Sequence, residues 1–133
     1  MSDEQNARGK AIRDAGFGKA GLAKWDAMNK VSPTHARAIH EYVFGTLWDR
    51  PQLDLKFREL ITIVAVATMN VQSEVQSHVR GALNRGATKE EITEVILHLA
   101  PYIGFPKTNH AFASAQIVFD EWEEKSKDEW KPL

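Results

Sequence analysis

Cysteine is absent from this sequence. Disulfides, thiolate metal sites, redox dithiols and cysteine nucleophiles are therefore all excluded. A dominant charge is missing as well. With 17 Lys and Arg against 18 Asp and Glu, the net charge is -1, which gives no electrostatic footprint for nucleic acid or an anionic membrane. Long hydrophobic runs are also lacking. The longest mostly apolar stretch, residues 60–69, falls far short of the roughly 20 residues a membrane span needs. The N-terminal MSDEQNARGK has no apolar core of the kind a signal peptide carries. There is no glycine-rich phosphate loop, no G-x-S-x-G elbow, and no H-x-x-x-H or H-E-x-x-H pair. The expectation is a soluble, cytoplasmic protein that binds no nucleic acid, no membrane and no metal.

What is present is a chain that can fold. Its 133 residues, 43% of them apolar, suit one domain over 1–133 with a real core. Residues 1–10 and 124–133 are polar and are expected to be peripheral. A weak helical pattern over 11–28 is interrupted by Gly16, Gly18 and Gly21, predicting two short helices or one resting on a partner. Ser32-Pro33 is a helix start. Ala36, Ile39, His40, Val43, Phe44 and Leu47 follow it as one apolar stripe, ending before Arg50-Pro51. Asp54 is placed to cap the next helix, which from Leu60 is apolar nearly all round. Such a helix must be buried by several neighbours or by another subunit. A break near Asn70 leads to a stripe of Val71, Val75, His78, Val79, Ala82 and Leu83, with Gly86 placed for a left-handed cap. Thr88 and Glu91 form a capping box before Ile92, Val95, Ile96 and Leu99. Pro101 predicts a kink or stop around 100–104. Pro106 restarts a helix with Ala111, Phe112, Ala115, Phe119 and Trp122 on one face. The fold class is all-α, a single bundle of about six helices.

Three ionisable residues stand out. Glu74 and His78 are four apart, so they are neighbours on one helix face. A carboxylate beside an imidazole fixes its tautomer and raises its basicity, making it a useful acid or base near neutral pH. From spacing alone a solvated surface pair is favoured about two to one, because such pairs are common. Glu59 opens the apolar helix, where it either favours the helix dipole or needs a partner in the core. If the two helices form an antiparallel hairpin, Glu59 approaches the second one. His40 sits within an apolar stripe, where a satisfied core histidine is favoured over a pocket wall. His98 lies off the buried face of its helix. Glu74 and His78 supply only two ligands where zinc wants three or four.

These residues lie in an order that resembles the carboxymuconolactone decarboxylase family. The resemblance is carried by FRELITI (57–63), by the E-x-x-x-H-x-R of Glu74, His78 and Arg80, by NRGATKEEITEVILHLA (84–100) and by GFPKTNHAF (104–112). LWDRPQL (47–53) resembles the tryptophan-Arg-Pro segment of the decarboxylase branch. The resemblance implies a fold like that of alkylhydroperoxidase D, all-helical around a central helical hairpin, with subunits assembled as trimers or hexamers. In the peroxidase branch a C-x-x-C pair precedes the histidine. Here those positions fall on Val71 and Glu74, while His78 and Glu59 match the proton-relay positions. A peroxidase reading fails for want of a thiolate.

The resemblance implies a carboxy-lyase of aromatic-compound breakdown that removes carbon dioxide from a carboxylated lactone such as 4-carboxymuconolactone. The lactone carbonyl would take up the electrons, so no cofactor is expected. His78 is the expected proton donor, Glu74 its orienting partner and Glu59 a relay or second acid. Arg80, Arg85, Lys107 and His40 are the candidate substrate-binding residues. Leu83 stands where dedicated decarboxylases often carry a second arginine, and Pro101 where the family usually has another residue. The alternatives are a lactone or keto-acid isomerase or hydrolase using the same pocket, and a non-catalytic helical oligomer.

Overall fold

A computed structural model describes residues 2–124 of the chain. The helices are α1 (Asp3–Val31), α2 (Pro33–Ala38), a π-helical segment (Ile39–Leu47) that continues α2, then α3 (Leu55–Thr68), α4 (Gln72–Asn84), α5 (Lys89–Ile103) and α6 (Phe105–Glu124). Among the described residues there is no strand, so the all-α expectation holds. Among them too, no helix is long and apolar enough to cross a membrane. The contacts divide the chain into two compact units, parting between Asp54 and Leu55.

The first unit pairs α1 with α2 and the π-helical segment. α1 begins earlier than the polar composition implied. Ser2 and Gln5 close a capping box, with the Ser2 hydroxyl accepting from the Gln5 amide at 3.2 Å. Residues 3–10 are therefore helical rather than frayed. Gly18, at φ 59° and ψ -154°, breaks α1 into two helical pieces, a conformation open to glycine because it carries no Cβ. That matches two of the pieces expected, with a break at one of the three glycines. Close approach explains a second glycine. A Cβ on Gly9 would sit 1.8 Å from the His40 carbonyl oxygen.

Ser32 caps α2 as expected, accepting from the His35 amide at 3.3 Å. The helix type beyond it was not foreseen. The Trp48 amide donates to the Val43 carbonyl at 2.8 Å, an i to i+5 bond. The wider turn shifts the buried face. Glu41 and Trp48 join His40 and Phe44 inside, and Leu47 is exposed.

The second unit is built on the α3–α4 hairpin. Asn70 makes the turn at φ 58°, a left-handed position that Asn tolerates better than most residues. α5 and α6 cover the hairpin. The core is Ile63, Ala67, Val75, Val79, Ala82, Ile92, Ile96, Leu99, Ala111, Ala115 and Val118. Gly86, at φ 94°, follows α4 as the expected left-handed cap. The Thr88 hydroxyl accepts from the Glu91 amide at 3.0 Å, and the Glu91 carboxylate accepts from the Thr88 amide at the same distance. α5 runs through the exposed Pro101 and stops at Gly104, inside the expected window. α3 is less enclosed than its composition demands. Ile63 and Ala67 are buried, but Phe57 and Ile61 stay about half exposed. The tail beyond residue 124, expected to be peripheral, lies outside the described residues.

Candidate active site

Glu59 is fully buried, at 0% exposure. It lies one turn before Ile63 on the face of α3 that meets α4. Moving a carboxylate out of water is costly unless it is paired, and Glu59 has two partners. One oxygen lies 2.8 Å from Nδ1 of His78. The other accepts a bond of 3.0 Å from Nε of Arg85, whose side chain is 6% exposed. The hairpin brings these together: Glu59 at the start of α3 faces the later turns of the antiparallel α4.

Glu74 lies on the other side of the imidazole. Its carboxylate is 3.6 Å from Nε2 of His78, an ionic contact longer than a hydrogen bond. The Glu74 side chain is about one-third exposed, against 11% for His78. The imidazole is thus held from the core at Nδ1 and faces the half-open side at Nε2. Burial acts most strongly on His78 and disfavours its charged form. The bonds and charges of Glu59 and Glu74 outweigh burial, so its pKa is raised above the ordinary value.

The surface reading that spacing favoured for the Glu74/His78 pair is therefore overturned. His78 lies on the buried face of its helix, and its closest carboxylate is the core residue Glu59 rather than its helical neighbour. Spacing within one helix could not show a partner 19 residues away.

Gly81 was not singled out from the sequence. A Cβ at this position would lie 2.5–2.7 Å from the three carboxylate atoms of Glu59. The bare backbone of α4 is what lets that carboxylate lie against the helix. The one available signal was a glycine inside an otherwise regular helix, a choice that costs about 1 kcal/mol relative to alanine.

The other candidates are distributed unevenly. Arg85 joins the cluster through Glu59. Arg80 turns to Glu121 on α6, at 3.7 Å. Lys107 is exposed and donates to the Thr68 carbonyl at 3.0 Å. Leu83 is buried. His40 belongs to the first unit, where its Nε2 lies 2.8 Å from a terminal nitrogen of Arg13. No group of three or more His, Asp or Glu side chains among the described residues is arranged to hold a metal.

Comparison with known proteins agrees with this arrangement of helices. The profile of the carboxymuconolactone decarboxylase family matches residues 33–116. The chain is 31% identical to the 4-carboxymuconolactone decarboxylase of Acinetobacter baylyi over 123 residues, covering 91% of this chain and 92% of that one. It is 38% identical to the nitrosuccinic acid decarboxylase of Metarhizium robertsii over 87 residues, or 65% of this chain and 61% of that one. An uncharacterized protein of Paracoccus denitrificans is 39% identical over 101 residues, 74% of this chain and 75% of that one. A family match over more than half the chain, together with a relative aligned along nearly its whole length, shows that the chain belongs to the carboxymuconolactone decarboxylase family.

Proposed function

We propose that this protein is a cofactor-free decarboxylase of a carboxylated lactone such as 4-carboxymuconolactone, and that His78 is its proton donor. The observation that carries the reading is the buried Glu59–His78 bond of 2.8 Å, in a chain related along its length to a protein of that name. Breaking the bond between the ring carbon and its carboxylate releases carbon dioxide. The electron pair left behind delocalises onto the lactone carbonyl oxygen. One proton must then reach carbon, and water restores it to the enzyme.

In this reading Glu59 orients the ring. By holding Nδ1 it leaves Nε2 as the donor, and its charge favours the imidazolium that donates. Glu74, on the half-open side, guides the proton back from solvent. This exchanges the parts that the family resemblance implied for the two glutamates. Arg85 is the preferred carboxylate holder, because its bond to Glu59 ties it into the cluster. Arg80 and Lys107 are anchored to Glu121 and Thr68 and rank behind it. The reading also includes self-association as a trimer or hexamer, supported by the half-exposed Phe57 and Ile61 on α3.

A second reading changes the substrate. The nitrosuccinic acid decarboxylase relative favours an acyclic acid whose carbanion is delocalised onto a neighbouring acceptor group. The same histidine would serve, since both reactions end in one protonation at carbon. The test is carbon dioxide release from 4-carboxymuconolactone and from nitrosuccinic acid. The lactone is expected to turn over faster. His78→Ala is expected to lower turnover about 10²–10⁴-fold, the usual worth of a positioned acid, and Glu74→Gln to lower it less. Full turnover in His78→Ala would end the assignment, and faster turnover of nitrosuccinic acid would favour the second reading.

A further inference from the structure

The first unit contains a cleft of about 430 Å³ whose lining residues all precede residue 41. That volume is in the range of small-molecule sites. Its walls come from α1, α2 and the first turn of the π-helical segment. π-Helical turns are rare and are found frequently at functional sites. Three of the lining residues are the cations Lys10, Arg13 and Arg37, set against the single carboxylate of Asp26.

The cations are held differently. Arg13 is 4% exposed. Its Nε and one terminal nitrogen bond Asp14 at 2.7 and 2.5 Å, and its other terminal nitrogen meets His40 at 2.8 Å. A guanidinium carries five N–H donors, so these three bonds leave donors on both terminal nitrogens. Arg37 is braced by Glu41 at 2.5 Å and Asp3 at 2.8 Å. Lys10 is exposed and has no ion-pair partner among the described residues. Asn6, also on the wall, has a buried Oδ1 with no hydrogen-bond partner among them.

The Trp25 indole also lines the cleft. The Trp25 ring lies 5.2 Å from the His40 ring, and the Arg13 guanidinium stands 6.0 Å from the indole centroid. His40 reports the local field. Burial first, and then the charges of Arg13 and Lys10, push its pKa down to about 4. It is therefore neutral at pH 7. Arg13 is paired with Asp14 and Arg37 with Asp3 and Glu41, so they offer a ligand their spare N–H donors, and Lys10 supplies the charge left unpaired among the described residues.

We propose that this cleft is a binding site for a small, flat organic carboxylate, held by Lys10, Arg13 and Arg37 with its apolar body against Trp25. The inference goes beyond decarboxylation and stands if that activity is refuted. Guanidinium forks match carboxylate geometry, and an indole face favours a planar, apolar partner.

The test is a titration of the full-length protein with benzoate, followed by NMR at the Trp25 indole N–H and the His40 ring protons. Benzamide, of the same shape without the charge, is the control. Benzoate is expected to shift both reporters saturably, weakening as salt is added. Benzamide is expected to bind at least about tenfold more weakly, a difference of about 1.4 kcal/mol. Lys10→Gln, at an exposed position that leaves the fold intact, and Arg37→Gln should each lower benzoate affinity several-fold. Arg13→Gln should lower it most. The proposal is overturned if Trp25 shows no saturable shift up to about 10 mM benzoate, a concentration beyond the reach of any useful affinity. Equal binding of benzamide, or unchanged affinity in both Lys10→Gln and Arg37→Gln, would overturn it too.

Discussion

His78 and His40 are both more than nine-tenths buried, at 9% and 6% exposure, yet their surroundings drive them in opposite directions. His78 sits between two carboxylates, and its pKa is raised. Burial pushes the His40 pKa down, and the charges of Arg13 and Lys10 beside it push it further, to about 4. Burial disfavours the charged form in both cases, so it cannot explain the difference. At His78 the two carboxylates outweigh burial, while at His40 the charges of Arg13 and Lys10 add to it. One histidine is held where its protonated form is favoured. The other is a neutral hydrogen-bonding element in a cationic wall. Residue type and burial alone would have given the two the same part.

The largest expected effect on this contrast comes from Glu59→Gln. It removes the core charge beside His78 and leaves the Arg85 guanidinium without its buried counter-charge. Breaking one side of a buried ion pair costs about 3–5 kcal/mol, which denaturant unfolding should register. His78 should then titrate lower than in the parent, because burial is left opposed by Glu74 alone. A variant as stable as the parent would mean that Glu59 and Arg85 are not coupled as described.

Gly81→Ala should have a smaller effect on the same partner. The added methyl would meet the Glu59 carboxylate at 2.5–2.7 Å, and overpacking of this kind costs about 1–3 kcal/mol. Because the displaced group is the one that aims His78, turnover should fall in the folded variant while the helix content is kept. Unchanged turnover and stability would show that the close approach of α3 and α4 is not needed there.

A further effect is a pair of opposite pH dependences. A raised folded pKa means that His78 stabilises the fold fully below the unfolded value of about 6.5 and loses this contribution as pH rises through the folded pKa. The stability gap between the parent and His78→Gln should therefore be widest in mild acid and narrow at alkaline pH. For His40 the folded pKa is depressed. Its contribution is present above about pH 6.5 and is lost as pH falls towards about 4. The gap to His40→Gln should run the other way. Gaps that move in parallel would erase the contrast between the two units.

The sequence carried the second unit better than the first, for physical reasons. The helices after Leu55 obey a regular 3.6-residue period and are bounded by chemistry that is readable locally: Asn70 at the turn, Gly86 at a cap, Thr88 with Glu91 at a box. The buried faces of α4 and α5 came out as the stripes implied, while α3 is less enclosed and Val118 replaces Trp122 in the core face of α6. In the first unit the period changes at Ile39, where i to i+5 bonding begins. A stripe counted on an α-helix then misplaces Glu41, Leu47 and Trp48. At the site, the identities of Glu59 and His78 were legible. Their distance was not, because it depends on the packing of two helices through Gly81. Arg85 was legible only as a candidate substrate-binding residue for the same reason. Its partner is 26 residues away, and no local pattern points to it.

The most direct test of the central contrast is an NMR pH titration of the His78 and His40 rings in the same sample. The account predicts that His78 titrates above the ordinary value of about 6.5, while His40 titrates near 4. A His78 titrating at or below the ordinary value would contradict it, because the two carboxylates would then not be holding its proton.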